Sequence, residues 1–230
     1  MDIFPLAIFP EGGLASSVVV TVWIGIWVVT FLNLRFGFAL SGLVVPGYLV
    51  PLLIVKPISA GVILLEGLTT YFITVFIASG LMRRLGASEM FGRDRFFALV
   101  LVSIIVRVLF DSWLLPSVGQ TLVDAGIDFD YRNNLQSFGL IIISLIANQM
   151  WNGGVRRGTS SLLLYLGITY LIVNFLVIPY TNFSISNLSF IYEDMASSIL
   201  ATPKAYIILL TAAYIASKMN LRYGWEFNGI

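Results

Sequence analysis

Histidine and cysteine are both absent from the 230 residues of this chain. The chain therefore has no imidazole base, no thiolate nucleophile, no disulfide and no His/Cys ligand set for zinc or haem. It also lacks a Gly-x-x-x-x-Gly-Lys-Ser/Thr phosphate loop and a Gly-x-Ser-x-Gly nucleophile elbow. The sequence thus indicates no metal site and no cofactor, and most familiar enzyme chemistries are excluded.

Charge is scarce as well, since only 11% of the residues are charged and the formal net charge is +1. A nearly neutral chain has no electrostatic footprint for a nucleic-acid partner. What the chain has instead is 58% apolar residues and a mean hydropathy of +0.93. That composition predicts an integral membrane protein rather than a soluble domain.

Seven apolar segments predict an all-α, polytopic membrane protein. They cover residues 14–32, 38–55, 58–82, 96–115, 138–151, 159–178 and 205–217. The fifth and seventh are shorter than the roughly 20 residues that a spanning helix needs, so we expect re-entrant or broken segments there, or segments that polar flanks extend. The second contains Pro46, Gly47 and Pro51, which predict an unwound or kinked stretch. That stretch could line a substrate path, or it could be a kink that neighbouring helices repair.

The basic residues predict the orientation. With the N-terminus outside, nine basic residues flank the segments on the inner side (Arg35, Arg83, Arg84, Arg93, Arg95, Arg156, Arg157, Lys218 and Arg222) and three on the outer side (Lys56, Arg132 and Lys204). This distribution follows the positive-inside rule for a bacterial-type plasma membrane. Residues 1–13 contain no Lys or Arg, so the first segment is interpreted as a retained span rather than a cleaved signal peptide.

Three ionisable residues lie inside the apolar segments. Arg107 and Asp111 are four residues apart and would share one helix face, while Glu66 lies in the third segment. Arg107 and Asp111 could face a polar path, where they would contact a carboxylate-rich product or carry a proton. Alternatively, the pair could only fix helix packing. Glu66, if protonated, could exchange a proton, or it could pack against a hydroxyl such as Thr69 or Thr70.

Polar residues near the segment breaks and ends complete the candidate sites. Gly42 and Asn148 are candidates for a substrate path, although hydrogen bonding between helices would also explain an Asn in this position. Arg83, Arg84, Arg156 and Arg157 form an inner basic site through which an anionic polymer could enter. The topology alone, or anionic lipid headgroups, would equally account for these arginines.

Internal similarity suggests repeats. Residues 33–43 are echoed by 220–230. More weakly, residues 138–140 echo 41–43, and residues 167–170 echo 67–71, which pairs Gly167 with Gly67. We predict a single transmembrane domain, 1–230, with three-span units at 14–95, 96–198 and an incomplete 199–230. Because three spans is an odd number, successive units would be inverted, as in many transporters. The last copy stops where it should enter the membrane, which predicts that the chain is the N-terminal part of a longer protein.

Three motifs carry a resemblance to a known family. They are Gly-Leu-Val-Val-Pro-Gly-Tyr-Leu at 42–49, Arg-Val-Leu-Phe-Asp at 107–111 and Leu-Ile-Ala-Asn at 145–148. Together they resemble the small membrane subunit of bacterial poly-γ-glutamate (capsule) synthases over residues 36–177. In one departure, Ile143 and Ser144 stand where that family carries Pro-Gly. The end of the chain, Arg-Tyr-Gly-Trp-Glu-Phe-Asn-Gly at 222–229, resembles a related seven-helix domain found with inactive transglutaminase-like domains and ATP-grasp ligases.

The resemblance implies a non-catalytic membrane subunit of a system that makes and exports a γ-glutamyl-like polymer or peptide. Its implied partner is a cytoplasmic ATP-grasp or amide ligase. Membrane lipids, a transglutaminase-like protein and further copies of the chain are additional candidate partners. Two other classes stay open from the residues alone, namely a stand-alone secondary transporter with inverted repeats and a membrane scaffold.

Overall fold

The computed structural model describes residues 4–9, 18–38, 42–82, 92–126, 139–185 and 211, and these residues are almost entirely helical. The α-helices are α1 (Val18–Phe36), α2 (Val45–Val55), α3 (Pro57–Phe76), α4 (Gly92–Leu109), α5 (Leu115–Asp124), α6 (Gly139–Gly153), α7 (Val155–Ile172) and α8 (Ile178–Tyr180). Three π-helical segments, Ile77–Met82, Phe110–Leu114 and Val173–Val177, continue α3, α4 and α7. Within the described residues, the only β pairing is an isolated bridge between Leu6 and Thr181.

Two of the π segments directly precede prolines. Phe110–Leu114 ends two residues before Pro116, and Val173–Val177 ends two residues before Pro179. A proline has no N–H for the carbonyl four residues earlier, and its ring crowds that carbonyl. A widened π turn relieves this crowding. The helix that contains Pro116 continues to Asp124, whereas the one that contains Pro179 ends one residue later, at Tyr180.

Among the described residues, four helical stretches are long and apolar enough to cross a bilayer. They are Val18–Phe36, Pro57–Gly80, Arg95–Asp124 and Val155–Tyr180. Their outer faces are apolar, as on α1, where Trp23, Trp27 and Phe31 are each about 60% exposed. In water an exposed apolar surface of this kind would promote aggregation, whereas a stripe of large apolar side chains is suited to contact with lipid.

The two short helices, α2 and α6, occupy the middle of the bundle. The 11 residues of α2 span about 16 Å, little more than half of the roughly 30 Å of a hydrocarbon core, and the 15 described residues of α6 span about 22 Å. Both are largely buried: Leu49 and Val50 of α2 and Ile143 and Ile146 of α6 have no exposed surface. The long helices therefore shield most of α2 and α6 from lipid.

The helix contacts follow a paired pattern. Helix α1 packs on α2, and α4 packs on α6; α2 packs on α3, and α6 packs on α7. Likewise α3 packs on α6 and α4, while α7 packs on α2 and α1. The same set of contacts results if α1 is exchanged for α4, α2 for α6 and α3 for α7. Helices α2 and α6 also contact each other. We refer to α1–α3 as the first unit and to α4–α7 as the second unit.

Six of the seven predicted apolar segments contain described helices. The fourth is longer than predicted, because α4, its π segment and α5 form a continuous helical stretch to Asp124. The unwound stretch predicted at Pro46, Gly47 and Pro51 is wrong, because all three residues lie within α2, where Pro46 is in the first turn and its missing N–H needs no helical partner. The helix begins at Val45, and Gly42 before it has a φ of +70°. The seventh segment and the third repeat unit fall outside the described residues apart from Thr211, and the repeat boundaries stay a prediction.

Candidate functional site

A buried cluster of three charged side chains joins the two units. The Arg107 Nε lies 2.8 Å from Oδ2 of Asp111, and its Nη1 lies 3.4 Å from Oε2 of Glu66. Glu66 comes from α3 of the first unit, whereas Arg107 and Asp111 come from α4 and its π segment in the second. The Glu66 side chain is fully buried, and that of Asp111 is 32% exposed. The predicted pair is thus present and gains a second carboxylate.

The cluster has two negatively charged groups and one positively charged group. Two carboxylates share one guanidinium, and Glu66 Oε1 and Asp111 Oδ1 are buried with no hydrogen-bond partner among the described residues. With all three groups ionised, the cluster would carry one excess negative charge in a low-dielectric interior. The arrangement can therefore accommodate a proton or a cationic group more easily than an additional anion.

The predicted hydroxyl partners of Glu66 do not bind it. The Thr69 hydroxyl donates to the Leu65 carbonyl at 2.8 Å, and no hydrogen-bond partner is found for the buried Thr70 hydroxyl in the described part of the chain. The carboxylate of Glu66 pairs with Arg107 instead.

Pro46 and Gly47 lie in the first turn of α2 and are buried against α1. A Cβ at Gly47 would lie 2.2 Å from Cα of Val22, and a Cβ at Gly25 would lie 2.8 Å from the Gly47 amide nitrogen. Because both close neighbours are backbone atoms, Gly47 and Gly25 allow the two helices to approach each other closely. The geometry at this position is that of a helix-packing contact; its predicted role in a substrate path is still only a prediction.

A cavity of about 690 Å³ opens where α6 joins α7, next to the end of α1. Its walls come from both units: Gly37, Phe38, Gln149, Asn152, Gly153, Arg156, Arg157, Gly158, Ser160, Ser161 and Leu164. The volume lies within the range of small-molecule sites. The predicted basic residues Arg156 and Arg157 thus line this cavity, and both side chains are exposed.

Gln149 is the most buried polar residue of this cavity, at 2% exposure. Its Nε2 donates to the Gly158 carbonyl at 3.4 Å, while no donor among the described residues reaches its Oε1. A Cβ at Gly42 would lie 2.9 Å from that oxygen. The predicted site residue Gly42 therefore leaves room for the Gln149 amide.

The structure brings some of the predicted residues together and leaves others apart. Glu66, Arg107 and Asp111 form one cluster, and Gly42 meets the cavity residue Gln149. Asn148 is half-buried, and its Oδ1 has no hydrogen-bond partner in the described ranges. Arg83 and Arg84 lie outside the described residues. Sequence reasoning missed four polar cavity residues, namely Gln149, Asn152, Ser160 and Ser161.

Fold and site together define a class: an apolar helical bundle of membrane-protein type, in which long helices pack around the buried α2 and α6, with a buried ion cluster between the two units. Residues 24–159 match the model of the family described as Capsule biosynthesis CapC, and this chain belongs to that family. The matched region contains the whole ion cluster and most of the cavity.

Two characterised relatives are similar to most of this region. The chain is 31% identical to the PGA biosynthesis protein CapC of Bacillus subtilis (strain 168) over 137 residues, which is 60% of this chain and 80% of that protein. It is 28% identical to the capsule biosynthesis protein CapC of Bacillus anthracis over 159 residues, 69% of this chain and 95% of the relative. No solved structure matches the chain.

Proposed function

We propose that this chain is a non-catalytic membrane subunit of a system that makes and exports a γ-glutamyl-like polymer. It works beside a cytoplasmic ATP-dependent amide ligase in a bacterial-type plasma membrane, with its N-terminus outside. The observation that carries the proposal is the family match over residues 24–159, whose relatives are named for PGA and capsule biosynthesis. A membrane subunit with no histidine, cysteine or phosphate loop leaves amide-bond formation to a partner.

The charge distribution supports the proposed orientation. Arg35, Arg95, Arg156 and Arg157 lie at one end of the bundle, while Lys56 lies at the other, between α2 and α3. Arg95 is held at its end by Trp151, whose ring centroid is 5.9 Å from the guanidinium carbon. By the positive-inside rule, the arginine-rich end faces the cytoplasm, where a ligase would deliver its product.

Within this system, the Glu66, Arg107 and Asp111 cluster has two proposed roles. It ties the two units together, and Glu66 exchanges a proton as the units move. A direct contact between Arg107 and an anionic product, the earlier prediction, would require the product to displace a carboxylate that already pairs with the guanidinium. Anionic lipids, a transglutaminase-like protein and further copies of the chain stay candidate partners beside the ligase.

The proposal is tested by polymer output in cells that contain the ligase but lack this chain. Supplying the unchanged chain should restore polymer outside the cell, and Arg107→Ala should abolish it while the protein still inserts into the membrane. Glu66→Gln keeps the size and removes only the ionisable group, so it separates proton exchange from packing. Thr69→Val is the matched control, because Thr69 is a polar residue of the same helix whose hydroxyl donates to the Leu65 carbonyl and not to the cluster.

The outcome of this experiment distinguishes between three functions of the chain: synthesis subunit, exporter and scaffold. Loss of output with Arg107→Ala and Glu66→Gln, but not with Thr69→Val, supports the proposed subunit. If ligase alone makes equal polymer that stays inside the cell, the chain acts in export and not in synthesis. Full output from both cluster variants would instead make the chain a scaffold.

A stand-alone secondary transporter is the second candidate, and the paired helix contacts favour it. Transporters with inverted repeats hold their coupling sites between the repeats, often at short or broken helices. Here the ion cluster lies between the two units, and α2 and α6 are the short helices. Proton-driven uptake of glutamate or a γ-glutamyl peptide into liposomes that contain only this chain would establish it; no flux without the ligase would exclude it.

A further inference from the structure

One buried hydroxyl of α3 differs from the others of this helix and its π segment. The hydroxyls of Thr69, Thr74 and Ser79 each donate to the carbonyl four residues earlier, at 2.7–2.8 Å. The Thr70 hydroxyl is fully buried, and no hydrogen-bond partner is found for it in the described part of the chain. Because a buried polar group without a partner costs free energy, we expect this hydroxyl to serve another group.

The nearest such group along α3 is the carboxyl of Glu66. Glu66 lies one turn before Thr70, and residues four apart share one face of a helix. Both side chains are fully buried, and Oε1 of Glu66 also has no hydrogen-bond partner among the described residues. Its other oxygen, Oε2, lies 3.4 Å from Nη1 of Arg107. The two unsatisfied oxygens therefore belong to successive side chains on one buried face of α3.

The charges of the cluster indicate what the site takes up. One proton on Glu66 would make the cluster neutral, while Arg107 stays paired with Asp111 at 2.8 Å. A metal ion fits less well. The guanidinium offers only N–H donors and already lies between the two carboxylates, so a metal ion bound to either carboxylate would be next to a positive charge.

Arg107 and Asp111 are the charged groups beside Glu66 in the described part of the chain. Helices α2, α4 and α6 pack on α3. Helix α6 contains no titratable residue, and α2 contains only Tyr48. The other charged residues of α4 are in its first turn, about three turns from Arg107: Arg93, Asp94 and Arg95. Uptake of a proton by Glu66 is therefore governed by this one ion cluster.

Packing alone does not require an acidic residue in this interface. The weak sequence echo that pairs Gly67 with Gly167 places Leu166 at the position equivalent to Glu66. Leu166 is buried in α7, which packs on α1 as α3 packs on α4, and neither α1 nor α7 contains an acidic residue. The same kind of interface is thus built without a carboxylate, and apolar replacement of a buried ion pair is often neutral or stabilising.

We propose that the site binds one proton on Oε1 of Glu66, and that Thr70 is the residue that positions it. The hydroxyl accepts a hydrogen bond from the neutral carboxyl and donates one to the carboxylate, since a hydroxyl is both donor and acceptor. Glu66 gains or loses the proton, and no other group changes charge. What the chain does with the proton rests on the proposed function, whereas the ligand and the role of Thr70 follow from the buried contacts.

Infrared difference spectroscopy of the purified chain in lipid nanodiscs tests the proposal. A neutral carboxyl has a C=O band separate from that of a carboxylate, and the band moves to higher wavenumber when the carboxyl loses a hydrogen bond. Spectra are recorded over a pH series for the unchanged chain, Glu66→Gln, Thr70→Val, Thr70→Ser and Thr74→Val. Thr74 is the matched control, because it is a fully buried threonine one turn beyond Thr70 whose hydroxyl donates to the Thr70 carbonyl.

The unchanged chain should show a neutral carboxyl band that Glu66→Gln removes. Thr70→Val should move this band to higher wavenumber and raise the proton affinity by about two- to tenfold, because a hydrogen bond stabilises a charged carboxylate more than a neutral carboxyl. Thr70→Ser keeps the hydroxyl and should restore both values. Thr74→Val should change neither.

Three results would overturn the proposal. A neutral carboxyl band that is missing, or that persists unchanged in Glu66→Gln, would mean that Glu66 does not hold the proton. An unchanged band in Thr70→Val, or an equal shift in Thr74→Val, would remove the role of Thr70. Loss of the band when sodium chloride replaces choline chloride would identify a metal-cation site instead. Should Thr70→Val fail to elute as a folded protein, Thr70→Ala removes the same hydroxyl without added volume and is judged in the same way.

Failure of this inference and failure of the proposed function give different results. If Glu66 shows no neutral carboxyl, yet cells without the chain make no polymer, the subunit role stands and the proton site falls. If the band depends on Glu66 and Thr70 as expected, yet polymer output is the same with and without the chain, the proton site stands and the subunit role falls.

Discussion

Glu66 and Arg107 are 41 residues apart in sequence, yet their charged groups approach to 3.4 Å and connect the first unit to the second. Helices α3 and α4 are antiparallel, so moving one turn inward along both leads from this pair to Thr70 and Ser103, which are also fully buried. The interface between the units is therefore polar over at least two helical turns. In hydrocarbon, such an interface holds the units in one register.

Replacing Arg107 by methionine should destabilise the protein strongly. The change removes the one described cation between two carboxylates, and breaking a buried ion pair by removing one partner typically costs about 3–5 kcal/mol. Thermal unfolding of the purified protein in detergent measures the effect. We expect a lower unfolding temperature for Arg107→Met than for Glu66→Gln, which leaves Arg107 paired with Asp111 at 2.8 Å.

The double variant provides the control for this prediction. Glu66→Gln in the Arg107→Met background removes one of the two uncompensated carboxylates, so it should recover part of the lost stability. Equal unfolding temperatures for the single and double variants would mean that the two side chains do not interact.

Gly47→Ala should separate α1 from α2. The new methyl group would lie 2.2 Å from Cα of Val22, and a backbone atom cannot be moved without shifting its helix. Overpacking of this kind costs about 1–3 kcal/mol. Gly61→Ala is the control, since a Cβ at Gly61 meets nothing within 4 Å, and alanine there should gain up to about 1 kcal/mol of helix propensity. Equal stabilities in a detergent unfolding assay would contradict the described packing of α1 on α2.

Gly67 and Gly167, which the weak sequence echo pairs, should respond differently to alanine. A Cβ at Gly67 would lie 2.6 Å from Cγ2 of Ile146, whereas one at Gly167 meets nothing within 4 Å. Gly67→Ala should therefore destabilise the contact between α3 and α6, and Gly167→Ala should not. Combining Gly67→Ala with Ile146→Ala should be less destabilising than the sum of the single changes, because the smaller side chain leaves space for the methyl group. Additive effects in unfolding measurements would show that the two positions are not in contact.

Hydropathy predicted much of the fold, because lipid imposes a strong length and polarity rule on every span. It predicted six segments that contain described helices, but it began the second seven residues before α2 and ended the fourth nine residues before the end of α5. It missed the continuation of α4 to Asp124, since α5 is amphipathic and contains Pro116, which a π turn accommodates. A π turn changes the hydrogen bonding of the backbone and not the hydropathy of the side chains, so hydropathy does not reveal where such a turn lies.

The candidate sites were predicted only in part, for a geometric reason. Spacing of four residues reveals pairs within one helix, so Arg107 and Asp111 could be paired from sequence. Glu66 was recognised as an intramembrane charge, but its partner depends on the register of α3 against α4. Gln149 was missed although it follows Asn148 in an apolar segment; a polar residue next to a predicted one, facing the other side of the helix, was the available signal.

The proposed orientation predicts which ends of the bundle face the cytoplasm. The chain contains no cysteine, so a single introduced cysteine gives an unambiguous accessibility signal. Asn152 is exposed at the end of α6, next to Arg156 and Arg157, while Asp124 is exposed at the far end of α5. Because positively charged ends stay in the cytoplasm, Asn152→Cys should react with an impermeant maleimide only after the cells are opened. Asp124→Cys should react in intact cells.

The cysteine-free parent provides the background, and each variant is compared before and after permeabilisation. The opposite labelling pattern would mean that the protein has the opposite orientation in the membrane, with the basic cavity outside and away from a cytoplasmic ligase. Labelling of both cysteines from the same side would contradict the structure itself, because α4 with α5 and α6 run antiparallel and must bring Asp124 and Asn152 to opposite ends. Labelling of Asp124→Cys alone in intact cells would show that Arg156 and Arg157, with Gln149 beside them, lie at the cytoplasmic side. A polymer made in the cytoplasm would first meet the membrane there.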